Sequence, residues 1–365
     1  MSVQQELSMS RAFKLDHGDF MTMITNAALP EDVLVALDRL GNSFRLGGVP
    51  SQRLVDEAVV ALNTLPVLRI ISEIYNIQRK LGFYDWENHN SEYEKRERAL
   101  HLLVCMPALA QVFTFHSNGY VREAALHALT DVPCSSFMLA ILAVRLNDWV
   151  APVRQAAVQC VEALSGRIDP AIVAAFGIEL CGRWHEWSRW SPEQAACIES
   201  LFVQSAVHEQ LVVQFAMRRS GPLPTALRYF LRKPGLDTAL PMLARTAQVA
   251  GVRAIAVLVL LRGHARWQTG TRRQWLNKPH GISRTMPVLA QRDIEVSVDR
   301  HELISAVLCD KSAIVRRAAL VALTDCATEL PDLATFLPAF QQDDNPSVQR
   351  WAGYLLRQQE MMKVH

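Results

Sequence analysis

Val121-Arg122-Glu123-Ala124-Ala125-Leu126-His127-Ala128-Leu129-Thr130-Asp131 recurs 194 residues later as Val315-Arg316-Arg317-Ala318-Ala319-Leu320-Val321-Ala322-Leu323-Thr324-Asp325, changed only at its third and seventh positions. A third copy begins at Val153-Arg154-Gln155-Ala156-Ala157 and ends on Ala163-Leu164. Weaker copies run from Val348-Gln349-Arg350-Trp351-Ala352 to Leu355-Leu356 and over Val252-Arg253-Ala254-Ile255-Ala256. Self-similarity at a fixed period is the mark of stacked helical repeats. Arg122 to Arg154 is 32 residues, Arg316 to Arg350 is 34, and Arg154 to Arg253 is 99, three units of 33. Degenerate copies fit between, near Pro192-Glu193-Gln194-Ala195-Ala196 and Pro224-Thr225-Ala226-Leu227. Arg253 to Arg316 is 63, read here as nearly two units with an irregular segment inside.

Each clear copy carries the pattern of a buried helix. Val153, Ala156, Ala157, Cys160, Val161 and Leu164 fall at i, i+3, i+4, i+7 spacing. An acidic turn precedes it, as in Asn147-Asp148-Trp149, Cys309-Asp310-Lys311 and Asp343-Asp344-Asn345, where short polar side chains can cap the next helix. Three copies share an Asp-x5-Arg spacing: Asp148 to Arg154, Asp310 to Arg316, and Asp344 to Arg350. Stacking is expected to set these charges in a structural ladder, each Asp near the Arg of its own or an adjacent repeat. Such pairs help fix register even where their net contribution to stability is near zero.

A turn Asp, then Val-Arg-x-Ala-Ala and an apolar finish on this period, resembles the short bacterial type of HEAT repeat. The match is specific over residues 115–165 and 300–358 and is absent before about residue 46. The resemblance implies an all-α fold, a right-handed α-α superhelix of seven or eight helical pairs with a concave binding face. The chain then divides into an N-terminal segment, 1–45; N-terminal and central helical repeats, 46–262; a long irregular basic Arg/Trp loop, 263–298; and C-terminal HEAT-like repeats, 299–365. Within the first segment one helix is expected over Glu31–Leu40, broken by Gly41, Gly47 and Gly48. Gln52–Leu62 and Pro66–Leu81 read as a helical pair, and Asp85–Arg98 as an exposed loop running into a helix.

The chain has 365 residues, half of them apolar and 20% charged, which excludes a disordered or fibrous protein. The first twenty residues lack an apolar run, so no secretory signal is expected. Val249 to Leu261 is the most apolar stretch; at thirteen residues, with Arg253 inside, it reads as a buried core helix, not a membrane span. The seven cysteines show no metal or redox spacing and read as reduced core thiols in a cytoplasmic protein. No cofactor or metal is expected. The net charge of +2 hides an asymmetry. Gln210 to Arg292 holds fourteen Lys and Arg against Asp237 alone, while residues 1–209 carry −7 and residues 293–365 carry −4. That distribution points to a negatively charged partner surface or to packing between oppositely charged parts.

Two segments stand out as binding candidates. Arg183 to Trp190 holds Trp184, Trp187 and Trp190 at i, i+3, i+6, which reads either as packing against the next repeat or as a partner-binding patch. Residues 263–298 contain Arg266, Trp267, Arg272, Arg273, Trp275 and Lys278, follow Arg262, and hold no acid before Asp293. Loops this long are usually functional or disordered. Arginine interleaved with aromatics suits an acidic protein surface, a nucleic-acid strand that stacks its bases, or the chain's own acidic half. No phosphate-binding glycine loop, His-Glu-x-x-His helix or Gly-x-Ser-x-Gly elbow is present. The expected function is therefore a non-catalytic scaffold that binds a partner protein through its concave face and the Arg/Trp loop. The alternative is a nucleic-acid-binding HEAT-like solenoid. A narrower version is an alkylpurine-type DNA glycosylase, suggested by Asp148-Trp149 beside a basic stretch.

Overall fold

The computed structural model describes residues 29–83, 91–129, 135–181, 190–325 and 335–363. Among the described residues the chain is mainly helical, with one two-stranded antiparallel hairpin, and it divides into two compact units. Residues 1–168 and 188–198 form the first; residues 169–187 and 199–365 form the second. None of the described helices is long and apolar enough to cross a membrane.

The first unit holds α1 (Glu31–Arg45), α2 (Gln52–Asn63), α3 (Val67–Lys80), α4 (Glu92–Cys105), the short α5 (Ala110–Phe113), α6 (Gly119–Ala128), α7 (Ser136–Leu146) and α8 (Ala151–Leu164). Helix α1 buries Val33, Leu37, Leu40 and Gly41, one stripe at i, i+4, i+7, i+8, against α2 and α3. Gly41 does not break this helix as its residue type suggests. A Cβ there would lie 2.2 Å from the Lys80 carbonyl oxygen, so glycine is required for the close approach of α1 to the end of α3. Ser91 and Glu94 form a capping box that starts α4. Helix α8 packs on α6 and α7 through Val153, Ala156, Ala157, Cys160, Val161 and Leu164.

Next come α9 (Pro170–Cys181) and α10 (Pro192–Ser200), whose residues divide between the two units. The second unit continues with α11 (Ser205–Met217), α12 (Leu223–Phe230), α13 (Leu240–Thr246), α14 (Ala250–Arg262), strands β1 (His264–Asn277) and β2 (Ile282–Asp293), α15 (Arg300–Leu308), α16 (Ala313–Asp325), α17 (Leu337–Gln341) and α18 (Pro346–Lys363). Phe176 stacks on Phe202, and Phe202, Phe230 and Phe215 continue edge to face through its first half. Helix α14 buries every residue from Val252 to Leu261 except Leu258, against α12, α13 and α16. Of the described cysteines, Cys160, Cys181 and Cys197 are buried, but Cys105 and Cys309 are exposed. Burial pushes the Cys181 thiol far up and that of Cys197 up to about 11, so neither is reactive at neutral pH.

A recurring arginine joins neighbouring helix pairs. Arg122 in α6 forks onto Asp148, in the turn before α8, at 3.0 and 3.0 Å. Arg253 in α14 forks onto Asp310, before α16, at 2.7 and 2.9 Å. Arg316 in α16 forks onto Asp343, before α18, at 2.5 and 2.8 Å. Each guanidinium turns its remaining nitrogen back to its own preceding turn: Arg122 to the His116 and Ser117 carbonyls, Arg253 to Ala247 and Gln248, Arg316 to Asp310. Arg154 makes the same backward bonds, to Asp148 and Trp149. Each aspartate also accepts the N–H two residues on, from Val150, Ser312 or Asn345. These are Asx turns ahead of the helix rather than caps on it.

The spacing Asp344 to Arg350 is one residue out of register. Asp343, not Asp344, takes the arginine fork, and Gln349 bonds the Asp343 carbonyl where the other copies use arginine. Arg350 instead bonds Pro346 on its own helix.

The pair separations also explain the 63-residue interval. They are 26 and 27 residues for Arg122–Asp148 and Arg316–Asp343, but 57 for Arg253–Asp310. The excess of 30 over the second pair equals the length of the hairpin, His264 to Asp293. Arg253 to Arg316 is one unit of 33 carrying an insertion, not nearly two units.

Burial opposes ionisation of Asp310, yet the Arg253 hydrogen bonds, the Ser312 N–H and the two nearby guanidinium charges hold its carboxyl below the usual carboxylate range. Removing one partner of such a pair strands a desolvated charge. Arg253→Met is expected to cost the second unit about 3–5 kcal/mol in urea unfolding, and Arg253→Met/Asp310→Leu to recover most of it. Costs that simply add, within about 0.5 kcal/mol, would show that the two residues do not act as a pair.

In the first unit, the His116 ring lies against Phe83 and Phe113 and accepts the Asn118 N–H at Nδ1. Its pKa is pushed down to about 4, by burial first and by the Arg122 charge second. Below its unfolded pKa of about 6.5 the unfolded chain takes up a proton that the folded chain refuses, so folding weakens as pH falls toward 4. The loss is at most about 3 kcal/mol for a half-buried ring. His116→Gln should flatten the stability profile between those pH values; an unchanged slope would remove His116 as the cause.

Candidate docking hairpin

The segment 263–298 is not the irregular loop that its composition suggests. Gly263 ends α14 in the left-handed region, at φ 76°, and the chain turns directly into β1. β1 and β2 pair antiparallel from His264–Asp293 outward to Asn277–Ile282, with irregularities at Gln268/Gly270 and Trp275/Asn277. Lys278-Pro279-His280-Gly281 makes the turn, closed by Gly281 N–H donating to the Lys278 carbonyl, with Gly281 at φ 66°. Proline and a left-handed glycine are the residues such a turn requires.

The base of the hairpin is held tightly. Ala265 is buried, and β1 contacts α12 and α14. Ile294 N–H closes onto the Gly263 carbonyl. Arg292 forks onto Asp237 at 2.8 and 2.6 Å and also donates to the Leu231, Lys233 and Asp293 carbonyls. Asp237, 1% exposed, accepts the Glu295 N–H as well. The one acid in the basic stretch is thus the anchor of the hairpin.

Beyond Trp267 the ribbon stands free. Every residue from Gln268 to Ile282 is exposed, about 30 Å of strand on the β1 side. Trp275 is 46% exposed; Leu276, Ile282, Val288 and Leu289 are exposed apolar residues on the same arm. From His264 to Arg292 there is no acidic residue. The Arg273 guanidinium lies 5.1 Å from the Trp275 ring centroid, a cation–π contact between two residues on one face. Arg284 bonds Gln274 across the strands on the other face.

No family model matches the chain, and no curated protein matches it.

The structure divides the binding residues read from the sequence. Arg272, Arg273, Trp275 and Lys278 share the free arm; Arg266 is exposed near its base beside His264, and Trp267 is half-buried there. Arg262 is not available in the same way. It sits in the last turn of α14, ion-paired with Asp325, its side chain 13% exposed. Trp184 and Trp187 lie outside the described residues. Asp148 is buried, with its carboxylate taken by Arg122 and Arg145 and the Val150 N–H, while Trp149 beside it is exposed. A glycosylase-like role for Asp148 needs a carboxylate open to a nucleotide, and this one is closed.

Sequence reasoning missed the apolar half of the arm and the Arg292–Asp237 anchor. The available signal was the turn Asn277-Lys278-Pro279-His280-Gly281 between a run with Trp267, Thr269, Thr271 and Trp275 and a run with Ile282, Thr285 and Val288. Limited trypsin digestion is expected to cut first within the arm, after Arg272, Arg273 or Arg284, and to spare Arg292. Asp237→Ala should add a cut after Arg292; continued protection there would show that the anchor does not hold the base.

Proposed function

We propose that the chain is a non-catalytic HEAT-like scaffold whose hairpin docks a partner protein. The observation that carries this reading is the composition of the free arm. Trp275, Leu276, Ile282 and Leu289 stand among Arg272, Arg273, Lys278 and Arg284, with no acid between them. Aromatic and arginine side chains dominate protein interfaces, and an exposed apolar cluster rimmed by charge is a usual mark of one. The HEAT-like part of the reading is supported by the 33-residue unit and by the Arg–Asp fork that recurs with it. Stacked units of that kind present a concave face, which serves here as a second contact surface.

A nucleic-acid-binding solenoid is the second reading. It is favoured by the shape and charge of the arm, because a two-stranded ribbon fits the DNA major groove. The four exposed aliphatic residues count against it, since they offer nothing to phosphates.

The test compares the native chain with Arg272→Ala/Arg273→Ala/Trp275→Ala, a variant confined to exposed positions and expected to keep its helical circular dichroism. Immobilised native chain should retain a defined protein from cell extract, and the variant should bind it at least about tenfold more weakly. Equal retention by both would remove the hairpin from the interface. Steeply salt-dependent binding of labelled DNA or RNA, with log K falling by about 0.9 per neutralised phosphate and lost in the variant, would replace this reading with the second.

A further inference from the structure

The hairpin has two outer edges, and they differ. β2 carries Pro287 in mid-strand, opposite Thr271. Proline has no N–H, so it stands in a ladder only with its nitrogen turned away from the paired strand. Thr271–Pro287 is therefore a non-hydrogen-bonded pair, and the antiparallel alternation runs from it without interruption to Trp275–Ser283. Arg272–Met286 and Gln274–Arg284 exchange the hydrogen bonds that hold the ribbon. Thr271, Arg273 and Trp275 turn their N–H and C=O groups outward along β1. On β2 the outward positions are Ser283, Thr285 and Pro287, so that edge lacks a donor where the other has one. Proline at an edge is a recognised block to strand addition. The β1 edge has no such block, and all of its residues from Gln268 to Asn277 are exposed.

The side chains state what fits there. A strand laid beside β1 sends alternate side chains to the two faces. On one face they meet Arg273 and Trp275, on the other Arg272. Cross-strand pairs of opposite charge stabilise and like charges opposite one another destabilise. A second copy pairing through the same edge would set Arg272 and Arg273 beside their own kind. An isolated two-stranded ribbon is also marginal in water, and a third strand supplies the pairing that it lacks.

We infer that the outer edge of β1 takes up an extended acidic segment of the partner protein as a third strand, with carboxylates opposite Arg272 and Arg273 and an apolar side chain against Trp275. This rests on the reading of the hairpin as a docking arm. Main-chain pairing supplies the affinity of such a contact and the alternate side chains its selectivity.

The test uses the full chain and a fluorescent, terminally blocked peptide built on Val-Thr-Glu-Glu-Thr-Val, which in either strand direction sets Glu opposite Arg272 and Arg273 and Val against Trp275, beside its Lys-for-Glu counterpart and labelled DNA. Three variants are compared by anisotropy: Arg273→Pro, Arg273→Ala and Thr285→Pro. Arg273 and Thr285 face each other, so the two prolines burden the ribbon alike, but only the first removes an N–H from the β1 edge. The Glu peptide should bind saturably and the Lys peptide should not. Arg273→Pro should weaken binding by more than about tenfold, Arg273→Ala by a smaller factor, and Thr285→Pro hardly at all. Equal loss in both proline variants, or a loss in Arg273→Ala as large as in Arg273→Pro, overturns edge pairing. Absence of saturable binding to the Glu peptide overturns the acidic strand. Binding of DNA alone assigns the edge to nucleic acid, and self-association abolished by Arg273→Pro assigns it to a second copy. If edge pairing fails while Arg272→Ala/Arg273→Ala/Trp275→Ala still loses the protein retained from extract, the docking-arm reading stands and only the mode of contact falls.

Discussion

A guanidinium that forks onto the aspartate of the next helical turn, while holding the carbonyls of its own, is the contact on which the helical stacking depends. It occurs at Arg122, Arg253 and Arg316 with the same partners each time. Arginine suits the role because its planar fork matches a carboxylate and its remaining N–H groups point the other way. Asp148 is bonded by Arg122, Arg145 and the Val150 N–H, which fills most of what a buried carboxylate can accept. A buried pair so fully satisfied need not add net stability. What it adds is register: a helix displaced by one residue would leave two charges unpaired in a low dielectric, a far larger penalty than a slipped apolar contact.

That arrangement also explains how the chain tolerates a 30-residue insertion. The hairpin leaves at Gly263 and returns at Asp293, and Arg253 still reaches Asp310 as though nothing intervened. Loop closure depends only logarithmically on length, so a long excursion whose ends are pinned together costs little. The pinning is done by the Ile294–Gly263 bond and the Arg292–Asp237 fork, a second use of the same Arg–Asp chemistry, here directed at the base of the arm.

The helices over 119–128, 151–164 and 313–325 were legible because Val-Arg-x-Ala-Ala names the buried face and the arginine together. The pairing was less so. The spacing left Asp148 open to the Arg of its own repeat or of an adjacent one; the fork takes Arg122, from the preceding repeat, while Arg154 bonds Asp148 only at its backbone carbonyl. The register failed at Asp343-Asp344 and Gln349-Arg350, where adjacent residues of like chemistry left two alignments open. The hairpin was hidden for a different reason. Alternation marks a strand only when one face is buried, and the distal strands have solvent on both. Gly41 misled in the opposite sense, because a glycine needed for close approach looks the same in sequence as one that ends a helix. Of the candidate site, Arg272, Arg273 and Trp275 were readable from their types, but Asp237 lies 55 residues from Arg292, and nothing local joins them.

A ribbon exposed on both faces is an unusual thing for a folded chain to keep, because each free edge invites pairing with other chains. The two edges handle this differently. Pro287 closes one by removing a donor, while the charges of Arg272 and Arg273 guard the other against copies of itself without closing it to an acidic strand. Charge excludes only partners of the same sign, so an edge guarded in this way is selective and not sealed. The acid-free stretch from His264 to Arg292 then follows from one requirement: a single carboxylate on the arm would both pair with its arginines from within and weaken the repulsion that keeps the arms of two copies apart.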